Sequence, residues 1–175
     1  MNKLVPRIET SRLLLRGHEL SDVPAMLAMW NDPKVYQYTT KAPSTPQRNW
    51  SRYLTYQGLW SVLGYGYWVV EDKASKKYLG EVGFADFKRD MVPPIQNIPE
   101  MGWVLTSESH GQGIATEATA GAFQWMRNSF QGQDSFCIID PANAASLKVA
   151  AKLGYSFSEV ASFLGDEVSV YRTRF

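Results

Sequence analysis

Between Glu100 and Ala122 the chain runs Glu-Met-Gly-Trp-Val-Leu-Thr-Ser-Glu-Ser-His-Gly-Gln-Gly-Ile-Ala-Thr-Glu-Ala-Thr-Ala-Gly-Ala. This reads as a strand, a polar glycine loop and a helix rich in small residues. The first turn of a helix has N–H groups without intrahelical partners and a partial positive charge, so it attracts anions. Gly111 and Gly113 add the backbone freedom and lack of bulk with which a chain wraps around a pyrophosphate. A phosphate-bearing cofactor is expected here.

Three phosphate-binding patterns compete for this stretch. A Walker loop ends in Gly-Lys-Ser/Thr, but Gly113 is followed by Ile114 and Ala115. A dinucleotide fingerprint needs a third Gly or Ala and an acid about twenty residues on. Thr116 takes that third place, and the nearest later acid is Asp134. The pattern Gln/Arg-x-x-Gly-x-Gly/Ala is met from its fourth position by Gly113, Ile114 and Ala115, with His110 where Gln or Arg is usual.

A second segment, Asn143-Ala-Ala-Ser-Leu-Lys-Val-Ala-Ala-Lys-Leu-Gly-Tyr155, follows the apolar run Phe136 to Ile139. Asn143 suits a helix N-cap and Gly154 a helix stop. Asn-x-x-Ser followed by Lys-Leu-Gly-Tyr, downstream of Gly-x-Gly-x-Ala-Thr-Glu-Ala, resembles the GNAT superfamily of N-acetyltransferases. The opening Glu9-Thr-Ser-Arg-Leu-Leu-Leu-Arg16 and the phrase Trp30-Asn-Asp-Pro33 narrow the likeness to the ribosomal-protein alanine acetyltransferase (RimJ/RimL-like) branch.

The resemblance implies an α/β fold: a twisted mixed sheet of about six or seven strands flanked by about four helices. It further implies a splay between the strands before and after the third helix. The cofactor implied is acetyl-CoA, its pantetheine arm entering between Met101 to Leu105 and Phe136 to Ile139. Trp103, Val104, Leu105, His110, Gly111, Gln112, Gly113, Ile114, Ala115, Thr116, Asn143, Ser146 and Lys152 are the residues it assigns to that cofactor. The acceptor is a small-molecule or peptide amine, and a homodimer is an admitted assembly.

Acyl transfer from a thioester to an amine needs an aligned neutral nucleophile, a sink for its proton, stabilisation of the oxyanion and protonation of the thiolate. Alignment can contribute roughly 7–11 kcal/mol, against about 3–5 kcal/mol for a 10²- to 10⁴-fold acid–base effect. Positioning should dominate. Glu100, opening the strand that flows into the loop, is the candidate base, because a partly buried carboxylate can accept a proton through water. Many relatives place a tyrosine seven residues after the motif asparagine as the acid; here that position is Ala150. Ser146 is the substitute and Tyr155 the second choice. Tyr36, Tyr38 and Asp86 are expected to face the acceptor, the tyrosines as groove walls and Asp86 or Asp90 as an attractor of the amine.

Other chemistries are weaker. Cys137 lies in an apolar run with no adjacent base, so an acetyl-carrier role is disfavoured. His18 and His110 with one cysteine make no metal site. A noncatalytic acyl-CoA sensor would keep the glycines and Asn143 without needing Glu100 or Ser146. A nucleotide-binding oxidoreductase is disfavoured by the motif mismatches.

The elements that must position these groups follow from punctuation and period. A length of 175 residues with 45% hydrophobic content fits one domain spanning 1–175, burying roughly two thirds of its unfolded surface. A net charge of +1, without basic runs, gives little electrostatic attraction for nucleic acid or an anionic membrane, and neither is expected as a partner. The N-terminus lacks a signal-like apolar segment, and a cytoplasmic location is expected. Arg12 to Arg16 reads as a first strand, and Ser21 to Asn31 as a helix with Pro24 in its first turn. Ser44 or Thr45 caps a second helix running toward Gly64. Gly66 to Glu71 and Tyr78 to Phe87 read as a hairpin, and Met91 to Pro99 as a loop. A third helix spans Gly111 to Asn128, with Ile114, Ala118, Ala122 and Trp125 in a stripe. Gly165-Asp166 forms the turn of a closing hairpin.

Overall fold

The structure, a computed structural model, describes residues 5–175. Its strands are β1 (Ile8–Glu9), β2 (Leu13–Arg16), β3 (Tyr67–Asp72), β4 (Tyr78–Ala85), β5 (Met91–Val92), β6 (Glu100–Leu105), β7 (Asp134–Ile139), β8 (Ser156–Phe163) and β9 (Asp166–Arg174). The helices are α1 (Val23–Trp30), α2 (Pro33–Tyr36), α3 (Pro46–Leu63), α4 (Ile114–Ser129) and α5 (Ala144–Lys152). Among the described residues all nine strands join one sheet in the order β1-β2-β3-β4-β6-β7-β9-β8-β5.

Every neighbouring pair in that sheet is antiparallel except β6 and β7. Those two run parallel and share one registered pair, Glu100 with Phe136. On its other side β6 pairs with β4 along its whole length, from Gly80↔Leu105 to Ala85↔Glu100. The sheet therefore parts after Glu100, as the resemblance implied.

The period of two in the strands sorts the two faces. Trp68, Val82, Phe84, Met101 and Leu105 pack under Ile114, Ala118, Ala122 and Met126 of α4. Small residues let α4 lie close: a Cβ added at Gly121 would stand 3.2 Å from Thr10 Cγ2. On the opposite face Met26 of α1 and Tyr56 and Leu59 of α3 cover Tyr67 and Ala85.

Local chemistry sets the helix ends. Thr45 Oγ1 accepts from the Arg48 N–H at 3.2 Å with Pro46 next, and Gly64 stops α3 at φ 78°. Asn143 Oδ1 accepts from the Ser146 N–H at 3.1 Å, and Gly154 follows α5 at φ 83°. Asp32 caps α2 by accepting from the Lys34 N–H.

Three expectations are corrected. The sheet exceeds six or seven strands because β1 and β5 add two residues each at its edges. β5 lies inside the segment read as a loop; Met91 and Val92 pair with Phe163 and Ser162 before Pro93 ends the run. The turn of the closing hairpin is Leu164-Gly165, at φ 53° and 86°, not Gly165-Asp166, since the primed turn needs positive φ at both central residues.

Candidate active site

β6 leads into a short 3-10 turn, Ser107–Ser109, and then into the glycine loop. Gly111 and Gly113 both take left-handed backbone, at φ 74° and 75°. Gly113 is the N-cap of α4, and no side chain caps that end. The first-turn amides of α4 are thus left without a side-chain acceptor, as an anion site requires.

The loop is braced from both sides. The Arg12 guanidinium donates to the Gln112 carbonyl at 3.0 Å and pairs with Glu117 at 2.7 Å. Glu117 also accepts from Thr10 Oγ1 at 2.6 Å and the Arg12 N–H at 2.8 Å. Burial alone would raise its carboxyl, but these donors hold it below the usual carboxylate range. On the other side the Ser107 hydroxyl donates to Asp32, and Asp32 is held low first by that bond and then by the Lys34 N–H. His110 Nε2 meets the Leu105 carbonyl at 3.1 Å. His110, Gly111, Gln112 and Gly113 are exposed, whereas the Ile114 side chain is in the core, so only its amide can serve a ligand.

Beyond the loop lies the gap between β6 and β7. The Phe136 N–H donates to the Pro99 carbonyl at 3.1 Å. Alternate residues turn their peptide groups the same way, so Met101 and Trp103 direct theirs toward the gap. Their side chains diverge from the next residue's: Trp103 and Leu105 pack on the α4 side, Val104 with Met29, Trp30 and Val35 on the other. α5 follows β7 across a short connection and packs on β7 and α4, with Asn143 capping its start and the Ser146 hydroxyl free of partners among the described residues. Lys152 ends α5, a full helix length from Ala144 at its start, or about 12 Å along the axis. The fold does not bring it to the loop end of that helix.

A parted parallel pair beside an uncapped helix start is the geometry that the resemblance implied. Residues 12–156 match the acetyltransferase (GNAT) domain. The chain belongs to the GNAT acetyltransferases. It is similar to YkkB of Bacillus subtilis (strain 168), 27% identical over 175 residues, 96% of this chain and 95% of that one. A Bordetella pertussis structure assigned to the GnaT-family acetyltransferases superposes with a TM-score of 0.84 at 25% identity, covering 95% of this chain and 98% of that. RimL, a ribosomal L7/L12 alpha-N-protein acetyltransferase solved with coenzyme A, superposes at a TM-score of 0.74 and 18% identity, covering 97% and 98%.

On the face of this GNAT sheet opposite α4, the candidate base is not exposed. Glu100 is 4% exposed, and both its oxygens accept from Arg89, Nε to Oε2 at 2.6 Å and Nη2 to Oε1 at 2.8 Å. The Arg89 guanidinium lies against the rings of Phe87 and Phe163, at 4.7 and 4.8 Å. The expectation of a carboxylate free to take a proton is corrected accordingly: Arg89 engages it on both oxygens. Asp86 likewise is already engaged, by Lys88 Nζ at 2.5 Å. Tyr36, half-buried, ends α2, and Tyr38 is exposed in the turn after it. That turn continues to Lys41, whose ammonium pairs with Asp166 at 2.9 Å and approaches Asp140 at 4.0 Å.

Tyr155, the second choice for the acid, and Cys137, disfavoured as an acetyl carrier, are both buried. The Tyr155 hydroxyl shares a hydrogen bond with Ser135 Oγ at 2.7 Å in the core, and burial pushes it well up. Burial also pushes the Cys137 thiol up, with the Glu100 charge adding to it. Among the described residues no cluster of three His, Cys, Asp or Glu could hold a metal ion, and no helix is long and apolar enough to cross a membrane.

Sequence reading missed Glu81, which is 0% exposed on β4. It accepts from Trp30 Nε1 at 3.2 Å and from the hydroxyls of Tyr56 and Tyr78 at 3.0 Å each. His18 Nε2 stands 3.8 Å away. Burial would raise Glu81, but His18, Arg52 and Tyr78 hold it low. The available signal was a carboxylate set between apolar residues in a strand; its partners come from α1, α3 and β4 itself, and spacing does not show them.

Proposed function

We propose that this GNAT is an acetyl-CoA-dependent N-acetyltransferase that acetylates a primary amine, on a protein N-terminus or a small molecule, by direct attack in a ternary complex. The observation that carries the reading is the single registered pair between β6 and β7 beside the uncapped start of α4.

The residues present fit coenzyme A. A Cβ built at Gly113 meets only Arg12 Nη2, at 3.6 Å, and one at Gly111 meets nothing within 4 Å, so the space before the helix is open. The loop from Gly111 to Gly113 and the amides of Ile114, Ala115 and Thr116 would hold the diphosphate. The peptide groups of Met101 and Trp103 would hold the pantetheine arm. When bound, the cofactor supplies an acyl group already activated as a thioester.

The chain's own residues then have defined tasks. Strand β6 aligns the reacting carbonyl, and alignment is the largest contribution available. Glu100 is the candidate sink for the amine proton through water, and it serves once Arg89 releases an oxygen. Ser146, with its free hydroxyl at the start of α5, is the candidate donor to the departing thiolate. A single change at either slows turnover by about 10²- to 10⁴-fold without abolishing it.

One observation favours a second reading, a noncatalytic acyl-CoA sensor: Arg89 engages both Glu100 oxygens, and Ala150 is buried where many relatives place tyrosine. Release of coenzyme A thiol, followed over peptides with N-terminal Ser or Ala, amino acids, spermine and kanamycin, separates the two. Amine-dependent release that slows in Ser146→Ala supports the transferase as drawn. Binding of acetyl-CoA without release selects the sensor, and wild-type turnover in Ser146→Ala removes the acid role from Ser146.

A further inference from the structure

Tyr67 opens β3, and its ring has an unusual bed. Its cross-strand partner on β4 is Gly83, whose own partner on β6 is Gly102. A Cβ added at Gly83 would stand 2.8 Å from Tyr67 Cγ, and one at Gly102 would stand 2.0 Å from the Tyr67 hydroxyl oxygen. The ring therefore lies across both glycines and carries its hydroxyl from β3 over to β6. Tyr56 stacks on it at 4.6 Å with 7° between the planes.

Packing accounts for the ring but not for the oxygen. An aromatic laid over cross-strand glycines fills space they leave, and phenylalanine would fill it equally. Tyr56 and Tyr78 donate to Glu81, and the Tyr155 hydroxyl is shared with Ser135. The Tyr67 hydroxyl has no such partner among the described residues, yet it is not among the fully covered unpartnered atoms, His18 Nε2 and Asn49 Oδ1. An unpaired hydroxyl on a residue only 5% exposed is costly unless something else bonds it.

Its place says what that partner is. Gly102 lies two residues beyond Glu100, where pairing with β7 has ceased, and the hydroxyl rests on the face shared with Glu100 and opposite α4. From the transferase reading, on which this step rests, we infer that the Tyr67 hydroxyl is a further catalytic group that accepts a hydrogen bond from the attacking amine and aims its lone pair at the thioester carbonyl. Burial pushes the phenol well up, and the Glu100 charge adds to this against Arg89, so it stays protonated and is no base. As the C–N bond forms and the C–S bond breaks, the amine proton goes to Glu100 through water and the departing thiolate takes its proton from Ser146, with none passing to Tyr67.

Tyr67→Phe keeps the ring over both glycines and deletes only the oxygen. The assay uses the wild type's best amine among an N-terminal Ser peptide, an N-terminal Ala peptide, spermine and kanamycin. The expected result is a fall of about 10- to 100-fold in kcat/KM for that amine, with acetyl-CoA affinity unchanged and Tm no lower than wild type. Gly102→Ala, whose methyl displaces the hydroxyl, should give a similar loss. Wild-type kcat/KM in Tyr67→Phe overturns the assignment alone, as does an equal loss of acetyl-CoA affinity, which would put the hydroxyl on the cofactor. Wild-type protein that binds acetyl-CoA but acetylates none of the four overturns the transferase reading and this assignment with it.

Discussion

Replacing Arg89 by alanine tests how the acceptor side of the site is held. Glu100 is 4% exposed, and the Arg89 side chain that meets both its oxygens is 26% exposed. Removing one partner of a buried ion pair leaves an uncompensated charge and costs about 3–5 kcal/mol. Water can reach partway along the path that Arg89 occupies, which places the cost near the lower end, about 3 kcal/mol. For a chain of this size each kcal/mol lowers Tm by about 2–4 °C, so Arg89→Ala should melt about 6–12 °C below wild type.

The second half of the test separates charge from packing. Arg89 also lies against Phe87 and Phe163, and losing those contacts costs about 0.5–1 kcal/mol each at partly exposed sites. Adding Glu100→Gln to Arg89→Ala removes the stranded charge but restores neither ring contact. The double variant should therefore recover part of the loss and stop short of wild type. Calorimetric melts of the wild type, the two single variants and the double variant give the coupling directly. A loss below about 1 kcal/mol in Arg89→Ala, or a double variant no more stable than Arg89→Ala, would rule out a stranded charge at Glu100.

The carboxylates and the glycine loop lend themselves to two more tests. Asp22, Glu81 and Glu117 are each held below the ordinary carboxylate range despite burial, by Arg16, by His18 and by Thr10 with Arg12 respectively. Their unfolded forms bind protons first, so the stability they contribute is present above pH of about 4 and is lost as pH falls through their lower folded values; thermal melts from neutral to acid should show this, and Glu81→Gln should flatten the slope, an unchanged slope counting against Glu81. Gly113→Ala places a side chain at φ 75°, a strain of about 1–2 kcal/mol that the loop can relax when free but must restore on binding; acetyl-CoA should bind about 5- to 30-fold more weakly by titration calorimetry, and an unchanged Kd would show that the loop does not hold the cofactor.

The two halves of the site were unequally legible, for a physical reason. The proposed cofactor half is built from backbone: glycines with positive φ, an uncapped helix start and an asparagine N-cap. Such requirements are local, so residue type and spacing reveal them. Even there, the brace from Arg12 to Glu117 spans 105 positions, whereas an acid in a first helical turn is explained locally by the helix dipole alone. The proposed acceptor half is built from side chains that strand register brings together. Tyr67, Gly83 and Gly102 meet because β3, β4 and β6 pair in one register. Arg89 reaches Glu100 from the segment joining β4 to β5, which no period describes. Gly83 and Gly102 illustrate the difference: a lone glycine in a strand suggests a bulge or a close approach, but not whose ring approaches. A one-residue slip of β3 would turn Tyr67 to the α4 face while leaving every motif of the cofactor half intact. Motifs of local backbone therefore carry the family, while the groups proposed to surround the amine come together only through strand pairing, which is why the family was readable from the chain and those groups were not.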